Sequence, residues 1–182
     1  MKALIICGSG NKDGFTAEMC RAIAEGMQSK DIDSEIIYPL DFNIAHCTGC
    51  QLCDTFGKCV LKDDMFQIYE RFEDADLLIL ATPIRFSGPT SIIKMVIDRF
   101  QPYWFNKGKH PKYVAGLMCG GSTEPKFSNT MSIFKAFGIT TDMQWVGELK
   151  ISDTDSIKIE DVSNLSYDFG KELARTISKD DQ

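Results

Sequence analysis

The sequence predicts an α/β fold: a five-stranded parallel sheet with helices on both faces. Two observations carry this. Five short apolar runs alternate with five stretches of helical periodicity along the 182 residues, and alternation of that kind closes into a parallel sheet through crossover helices. The run at residues 77–82 (LLILAT) is continuously apolar up to its closing threonine, as a strand covered on both faces must be.

Residues 3–7 (ALIIC) are the first strand. Phe15, Met19, Ile23 and Met27 then recur every four residues and mark a helix face. Residues 35–38 (EIIY) are the second strand. Asp63 and Asp64 stand where helix caps belong, ahead of Met65, Ile68, Tyr69 and Phe72 on one side. The third strand, 77–82, leads into a helix striped by Ile92, Val96 and Phe100. The fourth, 113–119 (YVAGLMC), leads into a helix carrying Phe127, Met131 and Phe134, with Gly138 as its expected stop. The fifth, 143–149 (MQWVGEL), precedes a last helix striped by Val162, Leu165, Phe169, Leu173 and Ile177. The length fits one domain over residues 1–182. Its one long irregular segment, a cysteine-rich insertion at about residues 39–62, is of a length that is usually functional or disordered.

Apolar content of 43% and charged content of 25% are ordinary for a soluble globular protein. No apolar run reaches the roughly 18 residues of a spanning helix. The opening MKALIICGSG ends in glycines, not in a small-residue cleavage site. A cytoplasmic location is therefore expected, where thiols stay reduced. A net charge of −6 gives no reason to expect nucleic acid or an anionic membrane as partner. The DDQ end, residues 180–182, is too short for an interaction tail.

Cys47, Cys50, Cys53 and Cys59 fall within thirteen residues at C-x2-C-x2-C-x5-C spacing. In a reducing compartment such a group reads as metal ligands or redox groups. Three readings compete. A [4Fe-4S] cluster needs four thiolates, and ferredoxin-type runs open with this pattern. Structural zinc also takes four thiolates, but more often from two separated pairs. Without a metal, the loop pairs as disulfides or docks on a partner. Three cysteines this close favour the cluster, and Gly49 and Gly57 ease the turns. His46 reads as an exposed loop residue and His110 as part of a structural turn. Cys7, Cys20 and Cys119 read as small buried apolar groups. Phe100, Tyr103, Trp104 and Phe105 are either core or a subunit interface.

Ligands of parallel sheets bind beyond the carboxyl ends of the strands, so three loops matter. After the first strand comes CGSGNKDGFT, residues 7–16. Its glycines permit close backbone approach, and the next helix presents its first amides there. Ser9 and Thr16 add hydroxyls and Lys12 a charge, which is suitable chemistry for a phosphate monoester. The spacing is neither G-x-G-x-x-G nor a P-loop. The plainer reading is a polar turn that binds nothing. After the third strand comes TPIRFSGP, residues 82–89. Pro83 stiffens it, Ile84 and Phe86 offer apolar surface to a planar ring, and Arg85 offers fixed donors or is simply solvated. After the fourth strand, Cys119, Gly120, Gly121 and Ser122 form another glycine turn at the same crevice.

These segments resemble the flavodoxin-like FMN reductases. GSGNKDGFTAEM is similar to their phosphate loop, usually G-S-P-R-x-x-G-N-T, with Gly10, Asn11 and Phe15 standing for Pro, Arg and Asn. TPIRFSGPTSIIKMVIDRF resembles their flavin-ring loop and helix, with Arg85-Phe86 closer to the T-R-F/Y-G loop of flavodoxin-like quinone reductases. CTGCQLCDTFGKCVLKDDM resembles the cluster segment of the iron–sulfur flavoproteins, a branch found in anaerobic microbes. The three motifs keep their order over about residues 1–122.

The resemblance implies a flavodoxin-like three-layer sandwich with strand order 2-1-3-4-5. It implies FMN, with the phosphate at Ser9, Asn11, Phe15 and Thr16. The ring would lie against Pro83, Ile84, Arg85, Phe86, Ser87 and Gly88, with Cys119, Gly120, Gly121 and Ser122 at the other edge. It implies an oxidoreductase passing electrons from ferredoxin or NAD(P)H to a small acceptor. A [4Fe-4S] cluster on Cys47, Cys50, Cys53 and Cys59 would hand over single electrons. It also implies a homodimer or homotetramer, the cluster of one subunit near the flavin of another. The absence of a second nucleotide motif favours a protein donor. The rivals are a non-catalytic carrier or sensor, a plain FMN reductase without a cluster, and a zinc-stapled protein without redox work.

Overall fold

The computed structural model describes residues 1–179; the acidic end at 180–182 lies outside them. The strands are β1 (Lys2–Cys7), β2 (Asp33–Ile37), β3 (Leu77–Pro83), β4 (Tyr113–Cys119) and β5 (Gln144–Ile151). The helices are α1 (Phe15–Gln28), α2 (Leu52–Phe56), α3 (Met65–Asp74), α4 (Ser91–Arg99), α5 (Gln101–Phe105), α6 (Ser128–Thr140) and α7 (Ile159–Lys179). All sheet pairings are parallel, in the order β2-β1-β3-β4-β5. The expected fold and strand order are therefore observed.

The layers follow from strand periodicity. Ala3, Ile5 and Cys7 share one apolar layer with Leu77, Ile79 and Ala81, under α1 and α7. Leu4 and Ile6 share the other with Leu78 and Leu80, under α3, α4 and α6. A parallel strand with both pleats apolar needs cover on both sides, and each crossover helix supplies it. Helices α1 and α7 meet at Gly26 and Gly170. A Cβ on Gly26 would lie 2.1 Å from the Tyr167 carbonyl oxygen, and one on Gly170 2.4 Å from that of Ile23. Only glycine lets the two backbones approach so closely.

Several boundaries differ from expectation. Strand β2 starts earlier and ends before Tyr38, and β5 runs 144–151, shifted from the expected 143–149. Its register against β4 slips at Val114/Ala115, where Gly147 takes φ +150°. Helix α6 continues past Gly138 to Thr140. Gly138 is there for packing, because a Cβ would lie 2.8 Å from Val114 Cγ1. The cysteine-rich segment is not wholly irregular: a 3-10 turn at Pro39–Asp41 and helix α2 interrupt it. The aromatic group divides. Phe100 and Tyr103 pack with Tyr69 and Phe72 in the core, while Trp104 and Phe105 stack on each other at the surface. Among the described residues no helix is long and apolar enough to cross a membrane.

Candidate functional site

The strand register brings the three loops to one edge. Cys7 lies beside Ala81, Pro83 beside Cys119, and Cys119 beside Ile151. The sheet order reverses between β1 and β3, the usual place for a ligand crevice. The Gly8 amide donates to the Ala81 carbonyl at 2.7 Å, and a Cβ there would lie 2.7 Å from Ile93 Cβ. The Thr90 hydroxyl ties the crevice together. It donates to the Gly8 carbonyl at 2.6 Å and caps α4 by accepting from the Ile93 amide. The Thr90 amide in turn donates to the Thr82 hydroxyl at 3.1 Å.

In the loop after β1, the Ser9 hydroxyl faces both the amide and the carbonyl of Asn11. The Asn11 side chain accepts from the Asp13 amide at 3.0 Å. These bonds curl residues 9–13 into a closed turn ahead of α1, whose start at Gly14 carries no side-chain cap. The first amides of α1 keep the partial positive charge of a helix N-terminus. Two expected phosphate groups are otherwise engaged. Lys12 pairs with Asp41 at 2.6 Å and lies over the Tyr38 ring. The Thr16 hydroxyl is buried and faces the Cys119 thiol at 3.1 Å, so it joins α1 to β4. Phe15 packs against the core under α1.

The loop after β3 is a tight reversal. Arg85 and Gly88 exchange backbone hydrogen bonds at 2.8 and 2.9 Å, and Phe86 and Ser87 both take positive φ, +48° and +62°. Arg85 is exposed, and the whole Phe86 side chain stands in solvent at the tip. Ile84 is half-buried, its amide bonded to the Cys119 carbonyl at 2.7 Å. The turn at 120–122 is buttressed from the far side by residues 153–155: Asp153 and Thr154 amides donate to the Ser122 and Gly120 carbonyls at 2.7 and 3.1 Å. A Cβ on Gly121 would lie 2.7 Å from the Asp155 carboxylate. The sequence carried no sign of this buttress, because its residues are ordinary polar loop residues.

Cys47, Cys50, Cys53 and Cys59 line one cavity of about 570 Å³, closed on its other side by Arg99, Pro102, Trp104 and Phe105. All seven cysteines are free thiols. Gly49, Gln51 and Gly57 take positive φ around them. The Leu52 amide, at the start of α2, and the Thr48 hydroxyl pull the Cys50 thiol below its usual pKa; burial pushes Cys53 up. Among the described residues no three His, Cys, Asp or Glu side chains stand close enough to share one metal ion. A four-iron cluster, unlike a single ion, spreads its thiolates over the corners of a cube. By residue type, four soft sulfurs lining one cavity are the donor set that such a cluster takes.

Behind the cavity sits a buried ion pair. The Arg99 side chain is 1% exposed and that of Asp63 7%. The Arg99 guanidinium grips both oxygens of Asp63, donates to the Ala45 carbonyl at 2.7 Å, and turns Nη2 toward Cys59 Sγ at 3.5 Å. Its Nε is buried without a partner among the described residues. Asp63 also accepts from the amides of Ala45 at 2.8 Å and Met65 at 3.1 Å, while Asp64 accepts from the Asn43 amide at 2.8 Å. The expected capping pair thus mainly ties down the cysteine segment. Burial opposes the ionised Asp63, but Arg99 and the two amides outweigh it and hold its carboxyl below the usual range. Sequence reasoning did not single out Arg99. The signal was a lone charge on the apolar face of its helix, three residues past Val96 and four before Tyr103. Helix α4 begins at the crevice and ends at this cavity, about 13 Å further along its axis.

A family model for NADPH-dependent FMN reductase matches residues 1–154. An iron–sulfur flavoprotein of Archaeoglobus fulgidus is 32% identical over 142 residues, covering 76% of this chain and 64% of its own. An FMN-dependent NADPH-azoreductase of Staphylococcus aureus is 30% identical over 168 residues, 90% of this chain and 83% of its own. Among solved structures, a flavone reductase superposes with a TM-score of 0.77 at 21% identity, over 100% of this chain and 65% of that one. At that identity the likeness is one of fold. The chain spans less than two thirds of the length of the Archaeoglobus relative and of the flavone reductase.

Proposed function

The chain belongs to the NADPH-dependent FMN reductase family, and on that footing we propose that it is an FMN-dependent oxidoreductase carrying a [4Fe-4S] cluster. Electrons pass from NAD(P)H or ferredoxin to a small acceptor. The observation that supports it most is the convergence of the loops at 8–16, 83–88 and 119–122 on one edge of the sheet. FMN, when bound, supplies the redox chemistry, and the protein supplies position and electrostatics.

The residues divide that work. The Ser9–Asn11 turn and the first amides of α1, at Phe15 and Thr16, receive the phosphate. Lys12 contributes its charge from beside Asp41. Pro83, Ile84 and the reversal at Arg85, Phe86, Ser87 and Gly88 form the ring's platform, with Arg85 as the donor to its polar edge. Cys119, Gly120, Gly121 and Ser122 close the other side. Cys47, Cys50, Cys53 and Cys59 hold the cluster. Among the described residues no side chain of the crevice stands out as a general acid or base, which suits electron and hydride transfer. The exposed Trp104 and Phe105 beside the cysteine cavity suit a subunit interface, so we assign a homodimer or homotetramer.

The test is an absorption spectrum of anaerobically purified protein with iron and acid-labile sulfide assays. Flavin bands, cluster absorption and about four irons per chain are expected. Flavin without iron would leave a plain FMN reductase, the reading favoured by thiols that are not gathered around one ion. Steady-state NAD(P)H oxidation with a quinone or free flavin separates an enzyme from a carrier or sensor, which would instead only exchange electrons with ferredoxin.

A further inference from the structure

We infer that Arg99 is the positioning residue of the cysteine centre: it fixes Cys59 as the fourth ligand and raises the reduction potential of the cluster. This rests on the cluster proposed above. Four N–H groups of the guanidinium are directed. Nη1 serves Asp63 and the Ala45 carbonyl, and Nη2 serves Asp63 and Cys59 Sγ. Ala45 lies two residues before Cys47, and Asp63 lies four after Cys59. One planar group therefore holds both ends of the cysteine segment and one of its sulfurs. A lysine, with a single compact ammonium, cannot span those directions.

Burying a guanidinium is costly unless it is paired and hydrogen-bonded. Asp63 satisfies the pairing, and its carboxylate cancels most of the long-range charge. What remains is local: an N–H aimed at a thiolate. One-electron reduction adds negative charge to a thiolate-ligated cluster, and hydrogen bonds to its sulfurs favour that state. Arginine keeps its proton at all working pH values, so the electron arrives without an accompanying proton from this residue.

The experiment is an EPR-monitored redox titration of the anaerobically reconstituted holoprotein, wild type against Arg99→Lys and Arg99→Met. Arg99→Met is expected to shift the reduced-to-oxidised ratio of the cluster at fixed ambient potential at least tenfold toward oxidised, about 59 mV for a one-electron couple. Arg99→Lys falls between, while FMN content and the flavin midpoint stay put, because the flavin loops lie at the other end of α4. A variant with full iron and an unmoved cluster midpoint overturns the assignment. If the single variants do not fold, Asp63→Asn combined with Arg99→Met leaves no stranded ion, and the same shift is expected. Independently, wild-type protein grown with 15N-arginine should show a nitrogen hyperfine coupling to the reduced cluster, since among the described residues Arg99 is the one arginine lining the cavity. Its absence also overturns the assignment. Wild-type protein that takes up no iron would sink the cluster reading itself, a separate result.

Discussion

Asp63→Asn tests the clamp behind the cysteine cavity without touching a thiol. One Asp63 oxygen accepts from the Met65 amide and Arg99 Nη2, the other from the Ala45 amide and Arg99 Nη1. Asparagine offers one oxygen and one NH2, so in either orientation it turns a donor toward two donors. Arg99, 1% exposed, is left without its counter-ion. Breaking a buried pair from one side costs about 3–5 kcal/mol. At about 2–4 °C per kcal/mol for a domain of this size, the thermal midpoint should fall by roughly 6–20 °C. Circular dichroism melts near neutral pH read this directly, and limited proteolysis should show cleavage opening first within residues 45–62. The pH dependence has a defined sign. A carboxylate depressed on folding adds stability that is complete above its unfolded value of about 3.9 and vanishes as pH falls through its lower folded value. The gap between wild type and variant should therefore be steady at neutral pH and close in acid. A midpoint within about 2 °C of wild type at neutral pH would refute the reasoning.

Gly8→Ala would set a Cβ 2.7 Å from Ile93 Cβ and 2.9 Å from the Ala81 carbonyl oxygen, costing about 1–3 kcal/mol. It should weaken FMN binding in a fluorescence-quenching titration, and an unchanged affinity would remove this loop from the flavin site. Thr90→Val strands the Gly8 carbonyl and uncaps α4, for a loss of about 1–3 kcal/mol in denaturant unfolding. Phe86→Gly relieves a left-handed residue whose side chain buries nothing, so stability should hold or rise by about 1 kcal/mol. A clear loss would mean that Phe86 is covered in solution.

Local patterns were legible in the chain itself. Strand β3 reads directly from five consecutive apolar residues, Leu77 to Ala81, and the alternation of runs implied the sheet. The glycine-rich turn after β1 and the cysteine spacing marked two candidate centres by residue type alone. Boundaries were less legible where tertiary packing overrides propensity: Gly138 looks like a stop but sits inside α6 to clear Val114. The roles of Lys12 and Thr16 were also beyond reach, because their partners Asp41 and Cys119 lie 29 and 103 residues away.

The same distance in sequence separates what each level decides. Spacing along the chain placed four thiols within reach of one another and a polar glycine turn ahead of a helix. Those are local facts, fixed by the few bonds between the residues concerned. The fold alone decided that Arg99 is buried and that it faces Ala45, 54 residues earlier, and Cys59, 40 residues earlier. It also decided that residues 153–155 brace the turn at 120–122. A charge becomes a clamp only when burial removes water and supplies partners from distant segments, and no sequence window contains both.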